Sequence, residues 1–418
     1  MKSYIVLLLA VILFTIPVSA QDAVVQEVML PPEGVGFSSD RLDRMHEIAK
    51  SYVDEKKIAG VLTMVARKGE VVHFETYGKR DLEKGLDMEH DTIFRIYSMT
   101  KPITSVAAMM LYEEGHFRLN DPVHLYIPEL ENVMVYDEDA PDESKTVKPN
   151  KPMTIRHLLS HSSGFTYGIF GNTPVDQMYR EAQILNPNSD LQGMVEKLAE
   201  IPLMHHPGEK WTYGVSTDVL GHFIEVISGQ SLGEFFQERI FDPLNMIDTG
   251  FFVPEEKVDR FANNYTYTPD GTLIRQDGGP TSPYLNQERM ESGGGGLVST
   301  ANDYMRFAQM MLNGGELDGV RLLSPKTVEL MIGNHLDSEY VPGRGFGLGF
   351  SIVTDLADTQ ILGSEGTFWW AGLANTYFII DPKEEMIAMM WTQVFPNGKF
   401  DLRDDFHIGV YQAIIESY

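Results

Sequence analysis

Ser98 and Lys101, three residues apart in Ser98-Met99-Thr100-Lys101, are the residues of this chain best spaced to do chemistry together. A serine hydroxyl is a poor nucleophile at neutral pH until a neighbouring base takes its proton. Side chains three apart on a helix share a face, so Lys101 can approach Ser98 without help from the rest of the fold. Ser98 also fits the plain role of a helix N-cap, so the pair needs partners elsewhere. Lysine is protonated at pH 7 unless burial or another cation intervenes, which calls for a further proton-transfer group. Tyr213, in the aromatic, turn-rich run Pro207-Gly208-Glu209-Lys210-Trp211-Thr212-Tyr213-Gly214, is the best candidate, although a tyrosine there also fits simple packing.

The local pattern positions this pair. Phe94-Arg95-Ile96-Tyr97 reads as the approach to a helix start, and Pro102 is tolerated in a first turn. Ile103, Val106, Ala107 and Met110 continue as an apolar helical stripe to Gly115, a C-cap. Ser98 is therefore predicted at a helix N-terminus, where unpaired N–H groups and the helix dipole favour developing negative charge. Upstream, Ser39 is read as the cap of a helix carrying Leu42, Met45, Ile48, Ala49 and Tyr52, after a loose segment over 21–36. Val61 to Ala66 and Val71 to Thr76 read as strands joined by a Lys68-Gly69 hairpin turn. Helices are expected at Ile155 to Leu159, Asp218 to Ile227 closed by Gly229, and Ala301 to Leu312 closed by Gly314-Gly315. Strands return at Gly347 to Val353, Ala374 to Ile380 and Met386 to Thr392, with Asp381-Pro382 turning between the last two, before a helix from about Phe406 to Ile415. Strands near both ends with helices between predict one sheet built from the two termini (about 37–117 and 331–418) and a helical lobe inserted at about 118–330. The cleft between lobes is the expected site.

Composition narrows the function. The chain of 418 residues has 33 Lys+Arg against 60 Asp+Glu, a net charge of −27, which argues against nucleic acid and anionic membrane surfaces. Cysteine is absent, which removes disulfides, thiolate metal sites and cysteine nucleophiles. Lys2, the apolar run Ile5 to Ile16 and Val18-Ser19-Ala20 read as a signal peptide over residues 1–20, cleaved near Ala20, so an exported, periplasmic or secreted protein without a membrane anchor is expected. The acidic cluster Asp137-Glu138-Asp139 with Asp142-Glu143 reads as a solvated loop rather than a calcium site. His157 and His161 have helical i, i+4 spacing, but no H-E-x-x-H accompanies them, so no metal is expected and His161 is read as structural. An α/β-hydrolase would rest on a G-x-S-x-G nucleophile elbow, and that fold is set aside. The glycine run Gly293 to Gly296 fits either a flexible turn or close approach to a ligand, and the dispersed methionines, Met99, Met204 and Met290 among them, are read as core filling ahead of an acyl-pocket role.

Four segments in order resemble one family. Ser98-Met99-Thr100-Lys101 is similar to the S-x-x-K of the serine β-lactamase-like superfamily, in particular class C β-lactamases, D-alanyl carboxypeptidases and their carboxylesterase relatives. Leu158-Leu159-Ser160-His161-Ser162-Ser163-Gly164-Phe165 resembles its L-L-[ST]-H-[ST]-S-G segment, Pro207 to Tyr213 the run to its tyrosine, and Gly293 to Thr300 with Asp303 its G-G-G-L-x-S-T-x-x-D stretch. The resemblance covers about residues 37–395. It implies an α+β, penicillin-binding-protein-like fold and an acyl-enzyme on Ser98, with Lys101 and Tyr213 moving its proton. It implies an oxyanion site from the backbone N–H groups of Ser98 and Leu373, the latter following Trp370-Ala371-Gly372 in the place of the family's K/H-[ST]-G. Two departures choose the branch. Val215 stands where these β-lactamases carry an asparagine that binds the substrate amide, and Trp370 stands where they carry a cation for the substrate carboxylate. Losing both removes polar and charge-assisted contacts and leaves an apolar wall suited to a neutral ester. Val215, Trp370, Ala371 and Gly372 are thus expected to bind substrate, and the expected activity is carboxylesterase ahead of β-lactamase, D-alanyl carboxypeptidase or a penicillin-binding sensor that acylates without turnover. The expected partner is a small-molecule ester or amide, with no cofactor; nothing in the sequence sets an oligomeric state.

Overall fold

A computed structural model describes residues 29–140, 145–396 and 398–417; the proposed signal peptide and residues 141–144 of the acidic loop lie outside the described residues. Helix α1 spans Ser39–Asp54. The main sheet has eight strands: β1 (Gly60–Arg67), β2 (Glu70–Asp81), β3 (Leu86–Asp87), β4 (Arg344–Phe346), β5 (Ser351–Val353), β6 (Phe368–Ala371), β7 (Tyr377–Asp381) and β8 (Met386–Trp391). Their order across the sheet is β4-β5-β6-β7-β8-β1-β2-β3, antiparallel throughout. The two ends of the chain meet where β1 pairs with β8, Leu62 opposite Trp391 and Arg67 opposite Met386.

Strand β1 is buried along its whole length, and its side chains alternate between two cores. Leu62, Met64 and Ala66 face the larger core, while Val61 and Val65 face a second core shared with α1 and the C-terminal helix. The larger core belongs to the helices inserted between the strand sets: α2 (Thr100–Glu113), α3 (Ile155–Leu159), α4 (Pro174–Glu181), α5 (Leu191–Ala199), α6 (Ser216–Ser228) and α7 (Ala301–Leu312). Helix α8 (Leu402–Tyr411) packs with α1 on the other face. Helix α2 is buried from Thr100 to Leu111, so it is enclosed by protein on all sides and is the central strut of the molecule. Among the described residues, no helix is long and apolar enough to cross a membrane.

Most predicted elements appear, and the differences have local causes. Lys68 and Gly69 both have positive φ (55° and 81°), the geometry of a tight hairpin turn. Ser39 is the first helical residue rather than the cap; its N–H and hydroxyl both donate to Glu33 Oε1, at 2.9 and 2.7 Å. The strand expected from Gly347 begins only at Ser351, and the strand expected from Ala374 begins at Tyr377. The α/β-hydrolase exclusion needs a correction of its own. Gly229-Gln230-Ser231-Leu232-Gly233 does match G-x-S-x-G. Ser231 is nevertheless a helix cap, accepting from the Glu234 N–H at 3.2 Å while Glu234 Oε2 accepts from the Ser231 N–H at 3.1 Å, and the sheet is antiparallel.

Candidate active site

The approach to Ser98 is held on both sides before the helix begins. Phe94 and Arg95 pair with Ser299 and Val298, and the Ile96 N–H donates to Leu297 O at 3.1 Å. Arg95 is fully buried, giving Nε to Asp277 Oδ2 at 2.6 Å and Nη1 to Ala262 O at 2.6 Å. Tyr97 then takes φ +42°, in the left-handed region, immediately ahead of Ser98. Such a conformation at a bulky residue costs on the order of 1–3 kcal/mol and persists only where surroundings over-determine it. Here the Tyr97 hydroxyl accepts from Asn264 Nδ2 at 3.1 Å. Ser98 lies in a 3-10 turn, Tyr97–Met99, that runs into α2, so the helix start predicted at Ser98 is realised in tighter form, with the α-helix proper beginning at Thr100.

Lys101 is 1% exposed, and its Nζ has three acceptors: Ser98 Oγ at 3.3 Å, Tyr167 OH at 2.7 Å and Gly294 O at 2.5 Å. Three acceptors match the three protons of an ammonium. Tyr213 stands beside this centre in a different way: its ring centroid is 4.6 Å from Lys101 Nζ and 5.1 Å from the Tyr167 ring. Tyr167 went unnoticed in the sequence. Its only signal there was position, two residues beyond the Leu158–Phe165 segment and next to Gly168. Burial pushes the Tyr167 hydroxyl well above the usual phenol range, with Tyr213 and Asp218 adding to it.

His161 packs behind Tyr213 at 5.1 Å between ring centroids, has φ +53° beyond the end of α3, and lies 3.4 Å (Nε2) from Thr217 Oγ1. Burial, and then Lys101, hold its imidazole well below the usual range. His157 instead accepts the Thr154 N–H on Nδ1 at 3.1 Å, capping α3, so the i, i+4 pair diverges. The glycine run is neither a loose turn nor an open approach: it threads between α2 and α6, with Gly293 O accepting from Thr104 Oγ1 at 2.7 Å and Gly294 O from Lys101.

Strand β6 brings Trp370-Ala371-Gly372 to the Ser98 turn. A Cβ on Gly372 would sit 2.5 Å from Ile96 O, so only glycine lets the strand end come this close to the Ser98 turn. The Gly372 N–H donates to Thr376 O at 2.7 Å, closing a hairpin that carries Leu373 in its turn rather than at the head of a strand. Trp370 faces the cleft side, 5.4 Å from the Tyr213 ring and 5.3 Å from Phe346. Trp211 stacks on Tyr340 at 4.4 Å and lies parallel to Tyr213 at 5.9 Å, extending an aromatic wall. Phe170, 60% exposed, adds its ring 5.9 Å from Tyr213. Val215 corrects one expectation: it is fully buried in the helical core at the start of α6, with its N–H on Thr166 O at 3.2 Å, and so presents no surface to a substrate. Met99 is likewise fully buried and cannot line an acyl pocket.

The chain is similar to known proteins over most of its length. The Beta-lactamase family profile matches residues 45–413. Protein Rv1367c of Mycobacterium tuberculosis is 36% identical over 373 residues, spanning 86% of this chain and 92% of the relative. Lovastatin esterase of Penicillium rubens is 30% identical over 395 residues, spanning 86% of this chain and 96% of the relative. Among solved structures, EstCE1, described as a hydrolase with promiscuous acyltransferase activity, superposes with a TM-score of 0.78 at 26% identity, covering 89% of this chain and 99% of that one. The chain belongs to the Beta-lactamase family and is a serine hydrolase.

Proposed function

We propose that this protein hydrolyses carboxylic esters through an acyl-enzyme on Ser98. The observation that carries the reading is Lys101 Nζ, buried and 3.3 Å from Ser98 Oγ, beneath an aromatic wall whose Trp370 replaces a cation. Ser98 Oγ attacks the ester carbonyl, and its proton passes into the Lys101–Tyr213 pair, with the Tyr167 hydroxyl holding Lys101 Nζ in place. The tetrahedral oxyanion rests on the N–H groups of Ser98 and Leu373. Collapse expels the alcohol, which takes the proton; water then attacks the acyl-enzyme, giving up its proton to the same pair, and releases the acid. Trp370, Ala371 and Gly372 line the acyl side, offering apolar surface and no cation. The similarity to a hydrolase with promiscuous acyltransferase activity supports a second outcome, in which an alcohol replaces that water.

The test is kcat/KM for p-nitrophenyl acetate and for a chromogenic cephalosporin, with Ser98→Ala as blank. Dominant ester turnover that vanishes in the blank is expected. Dominant cephalosporin turnover, or a stable acyl adduct on Ser98 without turnover of either, would overturn the esterase reading in favour of a β-lactamase or a sensor. The leader-like residues 1–20 support export. Fractionation should find the protein outside the cytoplasm, and retention of the unprocessed chain inside would refute it.

A further inference from the structure

Asp218, on α6, is fully buried, and no role has so far been given to it. Its Oδ1 accepts from the Gly294 N–H at 3.0 Å and from Ser292 Oγ. Its Oδ2 is buried and has no hydrogen-bond partner among the described residues. Gly294 is the residue whose carbonyl holds Lys101 Nζ, at 2.5 Å. One glycine is therefore gripped at its N–H by a carboxylate and at its C=O by the ammonium. No side chain fits there: a Cβ on Gly294 would lie 2.3 Å from Asp218 Oδ2.

A carboxylate with no solvent and one unpartnered oxygen is costly unless a cation compensates it. The charged and titratable groups around Asp218 come from three elements. Lys101 on α2 is joined to it through Gly294, whose C=O it holds while Asp218 holds the N–H. Tyr167, from the segment after α3, feels its charge and packs on Tyr213, which leads into α6. His161, behind Thr217, is kept neutral by burial and adds no charge. The glycine run contributes only Ser292 Oγ and the Gly294 N–H. Lys101 is thus the cation that offsets this buried carboxylate.

We infer that Asp218 is the buried counter-ion of Lys101, a positioning residue that holds the lysine beneath Ser98 by clamping Gly294 and keeps the proton-transfer centre electrically balanced. Burial pushes the Asp218 carboxyl up while Lys101 opposes that, as a shared charge balance requires. The inference rests on the proton-transfer role proposed above for Lys101.

The experiment is the pH profile of kcat/KM for p-nitrophenyl acetate in wild type, Asp218→Asn and Ser292→Ala. Asparagine keeps the shape and an acceptor for the Gly294 N–H, but removes the charge. Losing a buried negative charge favours uncharged Lys101 and ionised tyrosine alike, so whichever is the base, the acid limb moves to lower pH. A neighbouring opposite charge shifts a titration by about 1–3 units, so a displacement of about one unit or more is expected, with KM little changed. Ser292→Ala keeps the charge, and its limb should stay in place. An acid limb in Asp218→Asn that overlays wild type would overturn the inference. Should Asp218→Asn fold poorly, thermal midpoints of Lys101→Met and of the double variant decide the matter. A counter-ion pair predicts that each single variant loses more than the double, whereas additive losses would refute it. If Lys101→Met instead keeps wild-type turnover, the proposed function fails, which is distinct from an active-site lysine with an unmoved acid limb.

Discussion

Phenylalanine in place of Tyr167 and of Tyr213 separates the two hydroxyls near Lys101. Tyr167→Phe removes the acceptor 2.7 Å from Nζ and leaves one proton of a buried ammonium unpaired. A hydrogen bond to a charged group contributes about 1.5–3 kcal/mol, which at about 1.4 kcal/mol per decade is about a 10- to 150-fold loss in kcat/KM. Because Lys101 is 1% exposed, the same loss should lower the thermal midpoint. Tyr213→Phe leaves the contacts of Lys101 to Ser98, Tyr167 and Gly294 in place and keeps the ring 4.6 Å from Nζ. What it removes is the hydroxyl proposed to carry the proton, for which about 10²- to 10⁴-fold in kcat is typical. The assay is kcat and KM on p-nitrophenyl acetate across the neutral pH range, with a melting curve for each variant. Tyr213→Phe should be the more damaging in kcat and the more benign in melting. A larger kcat loss in Tyr167→Phe with unchanged melting would refute the assignment and hand the proton-carrier role to Tyr167.

Three further outcomes test the site and its frame. Trp370→Lys supplies the missing cation on β6, so the ratio of cephalosporin to ester kcat/KM should rise about tenfold or more; an unchanged ratio would show that the tryptophan does not set the preference. Arg67 and Glu384 form a buried ion pair at 2.6 Å, side chains 0% and 5% exposed. Glu384→Gln removes the carboxylate charge from this buried pair, and its denaturant midpoint should report a loss of about 3 kcal/mol or more. His73 sits 2.8 Å (Nε2) from Thr63 Oγ1, and burial drives its imidazole from 6.5 down to about 3. The folded protein then binds fewer protons than the unfolded chain between those values, so stability falls as pH drops through that window, by up to about 1.4 kcal/mol per unit. His73→Gln should flatten that fall in the thermal midpoint, and an unchanged slope would mean His73 protonates without cost.

Local pattern carried the elements whose identity depends on neighbours in the chain. The α2 stripe, the Lys68-Gly69 turn and the exact span of α7 were all legible, because helical period, turn chemistry and the Thr300 cap act within a few residues. Boundaries set by cross-strand pairing were not. Gly349, with φ +98°, packs against Ser105 on α2, and that contact delays β5 to Ser351. Val215 shows the same limit for the site: the residue type was right for an apolar role, but its burial at the start of α6 is decided by packing from segments far away in sequence.

The sequence by itself determined the family, the spacing of the Ser98–Lys101 pair and the absence of cysteine chemistry, since each is a matter of residue type and short spacing. Only the tertiary structure decided which groups surround Lys101 Nζ. Tyr167 arrives from 66 residues away and Gly294 from 193, and Asp218 reaches the lysine through that glycine. The physical reason is that a buried ammonium must find acceptors and a compensating charge in three dimensions, and no spacing along the chain records which distant segments the folded core will bring to it.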